Sequence, residues 1–252
     1  MENTKLKLGN APIIEAVLDI DCDMPSTMDL QVLDGTARQA LGDQYPIAQR
    51  QFLSEHQINA GPDGPPSVTV RQGIQALQFL APDRRQLVQI RPQGFSFNRL
   101  APYSSLDDYL PEMERTWRLF VSLTAPIRVR MVRLRYINRI QLPMSDGKVD
   151  LDQYLKLAPR LPDEEKLTFV GFFNQHSSVE PATGNQVNIV FASQPPTASE
   201  LPIILDIEAF KVIEAEPTEW QSIAATIASL RSLKNLVFAN SLTPKCLNLF
   251  QP

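Results

Sequence analysis

Arg128, Arg130, Arg133, Arg135 and Arg139 stand close together in the middle of the sequence, within Ile-Arg-Val-Arg-Met-Val-Arg-Leu-Arg-Tyr-Ile-Asn-Arg. A guanidinium group is a permanent cation with a planar fork of donors, suited to holding a carboxylate or phosphate at two points. Arg128 and Arg130 alternate in one phase, and Arg133 and Arg135 in the other. An unbroken strand would send these pairs to opposite faces. One extra residue near Met131-Val132, a β-bulge, brings all four to a single face and turns Ile127, Val129, Leu134 and Tyr136 toward the core. The bulge is expected because the alternative buries two unpaired guanidinium groups.

Arg91 and Arg99 precede this segment. Residues 84–139 hold eleven Arg, no Lys and four acids, a local charge of +7 in a chain whose net charge is −4. Acidic counterparts lie near the two ends: Asp19, Asp21 and Asp23 alternate on an early strand, and Asp206 and Glu208 on a late one. Arginine and carboxylate rows on neighbouring strands can neutralise each other as a cross-strand ladder. They can also leave a cationic sheet face open. The first functional reading is a non-catalytic binding or regulatory protein that holds an acidic or phosphate-bearing partner on that face, using Arg91, Arg99, Arg128, Arg130, Arg133, Arg135 and Arg139. A protein partner is expected first; nucleic acid or a phosphorylated ligand would answer the same chemistry. One alternative is a small-ligand carrier with a pocket between a curled sheet and its long helix. Another is a metal-dependent triphosphate hydrolase, with the acidic rows holding a divalent cation and the arginines neutralising phosphates.

Other chemistry has little support. His56 and His176 are far apart and outside any metal-ligand spacing. No Gly-x-Ser-x-Gly elbow, Walker loop, Gly-x-Gly-x-x-Gly or His-Glu-x-x-His occurs, so no catalytic residue, metal or cofactor is assigned. Phe95, Phe97, Tyr103 and Tyr136 can stack on bases, although core packing is the commoner use. Asn98 and Asn138 read as buried amides bridging strands.

The elements that must position the arginines follow from periodicity. Leu18, Ile20 and Cys22 alternate with the aspartates, which predicts a half-buried strand. Pro25-Ser26-Thr27 supplies a turn and a possible cap, and Leu30, Leu33, Ala37 and Leu41 repeat at helical spacing. Extended runs follow at 51–60, 68–79, 86–91 and 95–100, the first two split by the breaker loop Gly61-Pro-Asp-Gly-Pro-Pro66. Ser105 opens a helix with the stripe Leu110, Met113, Trp117, Phe120 and Val121. The order then repeats: a long strand at 127–142, a short helix at 151–157, strands at 166–174, 185–192 and 202–213. A final helix capped near Thr218 carries Ile223, Ile227, Leu230, Leu233 and Val237.

The fold class is therefore α+β. Two halves of β-α-β-β-β-α type, residues 1–125 and 126–252, form a wide, curved, mostly antiparallel sheet with long helices on one face, as one compact unit. The 252 residues, 43% hydrophobic and 21% charged, have the composition of a globular chain with an ample core. The first 23 residues lack an apolar signal core, because Glu15 and Asp19 interrupt the only apolar run, and no stretch is long enough to span a bilayer. Cys22 and Cys246 are expected to be reduced thiols. These features predict a cytoplasmic protein without membrane contact.

Asn10-Ala-Pro-Ile-Ile-Glu-Ala-Val-Leu-Asp-Ile20, Phe97-Asn-Arg-Leu100 with Tyr103, Arg135-Tyr-Ile-Asn-Arg-Ile140 and Leu205-Asp-Ile207 occur in an order that resembles a sporadically distributed bacterial family of uncharacterised proteins of about this length. The resemblance covers most of the chain, and the Arg-Tyr-Ile-Asn piece is its most specific part. It implies a cytoplasmic bacterial protein of patchy, mobile-element-like occurrence. By analogy with other patchy families it also implies a part of a toxin–antitoxin or anti-phage module.

Overall fold

In the computed structural model, residues 8–59, 67–163, 166–167 and 170–251 are described, with side chains for all of these except 54–59 and 67–72. The expected breaker loop at 61–66 lies outside the described residues. Strand β1 (Ile13–Asp23) is followed by helix α1 (Leu30–Leu41) and by β2 (Ile47–Asn59), β3 (Ser67–Leu80), β4 (Gln86–Arg91) and β5 (Gly94–Leu100). Helix α2 (Leu106–Thr124) leads into β6 (Arg128–Pro143), then β7 (Phe173–Val179), β8 (Gln186–Ser193) and β9 (Glu200–Ala215). Helices α3 (Trp220–Ser241) and α4 (Pro244–Asn248) close the described chain.

All nine strands belong to one sheet, ordered β2-β3-β4-β5-β1-β6-β9-β8-β7, and every neighbouring pair is antiparallel. The first strand of each predicted half thus sits at the centre, β1 against β6, and the later strands of each half fan outward. Alternation explains the core. Leu18 and Ile20 of β1, Phe95 and Phe97 of β5, Val132 and Leu134 of β6, and Leu205 and Ile207 of β9 are all 1% exposed or less. They form one apolar cluster with Trp117 and Phe120 of α2 and Ile223, Ile227 and Leu230 of α3. Helix α3 packs on β6 and β9, α2 on β5, and α1 on β3 and α2.

Local signals set the helix ends. Asp29 caps α1 through a 2.7 Å bond from the Gln31 amide, so the cap falls two residues beyond Thr27. Ser105 caps α2, with Asp107 and Asp108 at the positive end of its dipole. The predicted Thr218 cap is absent: Glu219 begins α3 without a side-chain cap, and the Pro217 carbonyl just before it accepts a 2.9 Å bond from the Trp117 indole. That bond ties the two long helices together. Two other expectations are corrected. The helix placed at 151–157 is one 3₁₀ turn, Leu151–Gln153, and the strand placed at 166–174 begins only at Phe173. The first half holds four strands between its helices, at the four extended runs the sequence predicts.

The β4–β5 turn approaches β1 closely, and the Cys22 amide donates to the Gln93 carbonyl at 2.8 Å. Gly94 permits this with φ +151°; a Cβ there would stand 2.1 Å from the Ile20 carbonyl oxygen. We expect Gly94→Ala to lower unfolding free energy by more than about 2 kcal/mol. Gly73→Ala, which meets nothing within 4 Å, should change it by less than about 1 kcal/mol. Urea denaturation of both variants checks the contrast.

Candidate binding face of the sheet

The phase change in β6 is real and falls one residue earlier than the sequence suggests. Cys22 pairs with Val129 and Asp21 with Met131, so Arg130 has no partner on β1 and is the bulged residue. The β9 register is irregular at the same place. Val129, Val132, Leu134 and Tyr136 consequently all face the core at 2% exposure or less. Arg128, Arg130, Arg133 and Arg135 are all half-buried on the opposite side. Ile127 is the exception to the predicted pattern: it precedes the strand and is exposed.

Carboxylates from both ends of the chain meet these arginines. Arg130 donates to Asp23 at 2.6 Å and to Glu214 at 2.8 Å, and Glu214 also accepts from Arg128 at 3.1 Å. Arg133 binds Asp21, which also accepts from Arg91 at 3.0 Å, while Asp19 lies 3.3 Å from Arg91. Arg135 embraces Asp206, through Nε at 2.9 and 3.1 Å and Nη2 at 2.5 Å. This pairing raises the Arg135 pKa above the ordinary guanidinium value. Glu208 accepts from Asn188 at 3.0 Å. Arg139 is exposed and has no ion-pair partner among the described residues.

Arg99 does not join the row. It is out of phase with Asn98, so its guanidinium lies on the core side, 5.2 Å over the Tyr109 ring, with Asp83 at 3.8 Å. The face therefore gathers Arg91, Arg128, Arg130, Arg133, Arg135 and Arg139. Against them stand Glu15, Asp19, Asp21, Asp23, Asp206, Glu208 and Glu214. Among the described residues six arginines stand with seven carboxylates, so of the two arrangements the sequence allows the face takes the mutually neutralising ladder.

A second row lies beside the first, and Asn98 is its one member that the sequence signals. Gln78 donates to Gln51 and to Gln89, both at 3.1 Å; Gln89 donates to Asn98 at 3.0 Å; Asn98 donates to Glu15 at 2.7 Å. This chain of amides crosses five strands and ends on a carboxylate, the arrangement in which successive hydrogen bonds polarise one another. Asn98 is thus the strand-bridging amide the sequence suggested. Asn138 is another, donating to the Leu205 carbonyl at 2.9 Å.

Among the described residues no group of three or more His, Cys, Asp or Glu side chains is placed to hold a metal ion. Asp19, Asp21, Asp23 and Asp206 are engaged by arginines instead, and Glu208 by Asn188. His176 is exposed on β7, and the side chain of His56 lies outside the described residues. Burial, reinforced by Asp21, pushes the Cys22 thiol up to about 12, and burial does the same to Cys246, so neither is a thiolate at neutral pH. Phe95, Phe97 and Tyr136 are core residues and offer no face to a base. No described helix is long and apolar enough to cross a membrane.

No family model and no curated protein sequence matches the chain.

The Arg135–Asp206 pair is bidentate but partly open to water, with the arginine side chain 43% exposed. A double-mutant cycle with Arg135→Ala and Asp206→Ala should give a coupling of about 0.5–1 kcal/mol, shrinking as salt is raised to 1 M. Chemical denaturation at two ionic strengths measures it.

Proposed function

We propose that the chain is a non-catalytic binding protein that docks a protein partner on the arginine face of its sheet. The observation that carries this reading is the bulge at Arg130, which collects the arginines beside exposed apolar side chains. Val212 pairs with Met131 and is 60% exposed; Phe173, at the sheet edge, is 66% exposed. Arginine, methionine and aromatic side chains are the types enriched where proteins meet. Balanced charge favours a protein surface of mixed sign over a nucleic acid. The outer pairs, Arg128 and Arg130 with Glu214 and Arg130 with Asp23, are half-open and worth about 1 kcal/mol or less each, so a partner's carboxylates can exchange with those already present. In the same reading the two halves arise by duplication and their helices gather on the other face, which leaves this one for docking. The sequence resemblance supports, by analogy, a partner within a bacterial toxin–antitoxin or anti-phage module.

Arg139→Glu and Val212→Glu alter the face without breaking an ion pair within it. Affinity capture from the native cells, read by mass spectrometry, should recover a protein with the wild type. Recovery should fall at least tenfold with the double variant and be indifferent to nuclease. Equal recovery by both, or loss on nuclease treatment, contradicts the reading.

A further inference from the structure

Behind the arginine face, on the core side of β6, a cavity of about 380 Å³ opens between α3, the first turn of α2 and residues 8–13. Arg231 and Lys234 enter it from α3, Tyr136 and Asn138 from β6, and Tyr103 from the segment before α2. Leu8, Ile13, Leu106 and Phe238 supply apolar wall. Its volume lies in the range of small-molecule sites.

The polar groups here are unequally satisfied. Arg231 is committed to Asp107 by a two-point pair at 2.6 and 3.0 Å. Lys234 has no carboxylate and no hydrogen-bond acceptor among the described residues; its amine sits 3.7 Å from the centre of the Tyr136 ring. The Tyr103 and Tyr136 hydroxyls bond to each other at 2.8 Å. One of the two must accept, and its own proton then has no acceptor among the described residues. A half-buried amine and one phenol proton thus both face the cavity without a protein acceptor among the described residues.

We infer that this cavity binds a small monocarboxylate with an apolar body, its carboxylate accepting from Lys234 and from the tyrosine pair and its body lying against Phe238 and Leu106. A phosphate monoester would bring a second negative charge, and among the described residues Lys234 is the one cation of the cavity without an anion. The site is separate from the docking face and does not depend on it.

Protonation gives the inference a signature. Burial first, and the neighbouring Arg231 second, lower the Lys234 pKa to about 7. Among the described residues the charged and titratable groups around it are Arg231 of α3, Asp107 of α2, Tyr136 of β6 and Tyr103; residues 8–13 contribute none. Burial raises both tyrosines, Tyr136 to about 12, so neither titrates near neutrality. A carboxylate needs the ammonium form, so binding above pH 7 must take up a proton.

The test is calorimetric titration of the full chain with 3-phenylpropanoate and with 3-phenylpropanamide, at pH 6, 7 and 8 in buffers of different ionisation enthalpy. The acid should bind at least tenfold more tightly than the amide, weaken about fivefold from pH 7 to 8, and take up close to one proton at pH 8. Lys234→Met should abolish the preference for the acid while melting no lower than the wild type, since it removes a half-buried cation that has no anionic partner among the described residues. Equal affinity for acid and amide, no binding of either, or an acid preference that survives in Lys234→Met overturns the inference. A Lys234→Met variant that melts lower than the wild type also counts against it, because the amine would then be a satisfied structural group.

Discussion

One unpaired residue, Arg130, sets the phase of the central strand, and the rest of the molecule depends on that phase. On one side of β6 lie Val129, Val132, Leu134 and Tyr136, each sealed beneath a helix or another strand; on the other lie four arginines. Without the extra residue, two of these arginines would point into the apolar cluster beside Trp117 and Ile207, where no carboxylate waits. Desolvation of an unpaired guanidinium outweighs anything the surrounding packing returns. The bulge removes that conflict, and β1 and β9 then supply carboxylates in register from opposite ends of the sequence.

The ladder that results is a device of register more than of stability. Each pair is partly open to water and contributes little alone, whereas the core side buries large aromatic and aliphatic groups completely. A one-residue slip of β6 against β1 would send Arg133 and Arg135 inward and expose Leu134 and Tyr136, so the paired charges and the core select the same alignment. The amide row from Gln51 to Glu15 acts in the same sense across the first half of the sheet. Because β6 alternates, it also serves two surfaces at once: Arg135 projects to the outer ladder while its neighbours Tyr136 and Asn138 line the inner cavity.

Much of this was legible in the residues. The alternation of Leu18, Ile20 and Cys22 with aspartates locates β1, helical stripes locate α1, α2 and α3, and the broken arginine phase locates a bulge to within a residue or two. Charge balance was less visible, because Glu15 and Glu214 reach the same face only through strand neighbours far apart in sequence. The edge strand β7 was placed too early: almost every residue of it is exposed, so it shows no alternation, while the apolar run just before it mimics a strand. Arg99 misled because it shares a residue type with the row but not its phase. Lys234 did leave a trace. It stands four residues after Leu230 and seven after Ile227, on the buried stripe of α3, where a lysine is out of place.

Cysteine scanning along β6 tests the central claim most directly, since both native thiols are buried and unreactive. With a single cysteine in turn at 129, 130, 132, 133, 134 and 135, a charged thiol reagent should label positions 130, 133 and 135 of the native protein rapidly. Positions 129, 132 and 134 should react only on unfolding. Rapid labelling at 132 or 134, or protection at both 133 and 135, would show that the strand keeps a single phase and that the arginines do not share a face.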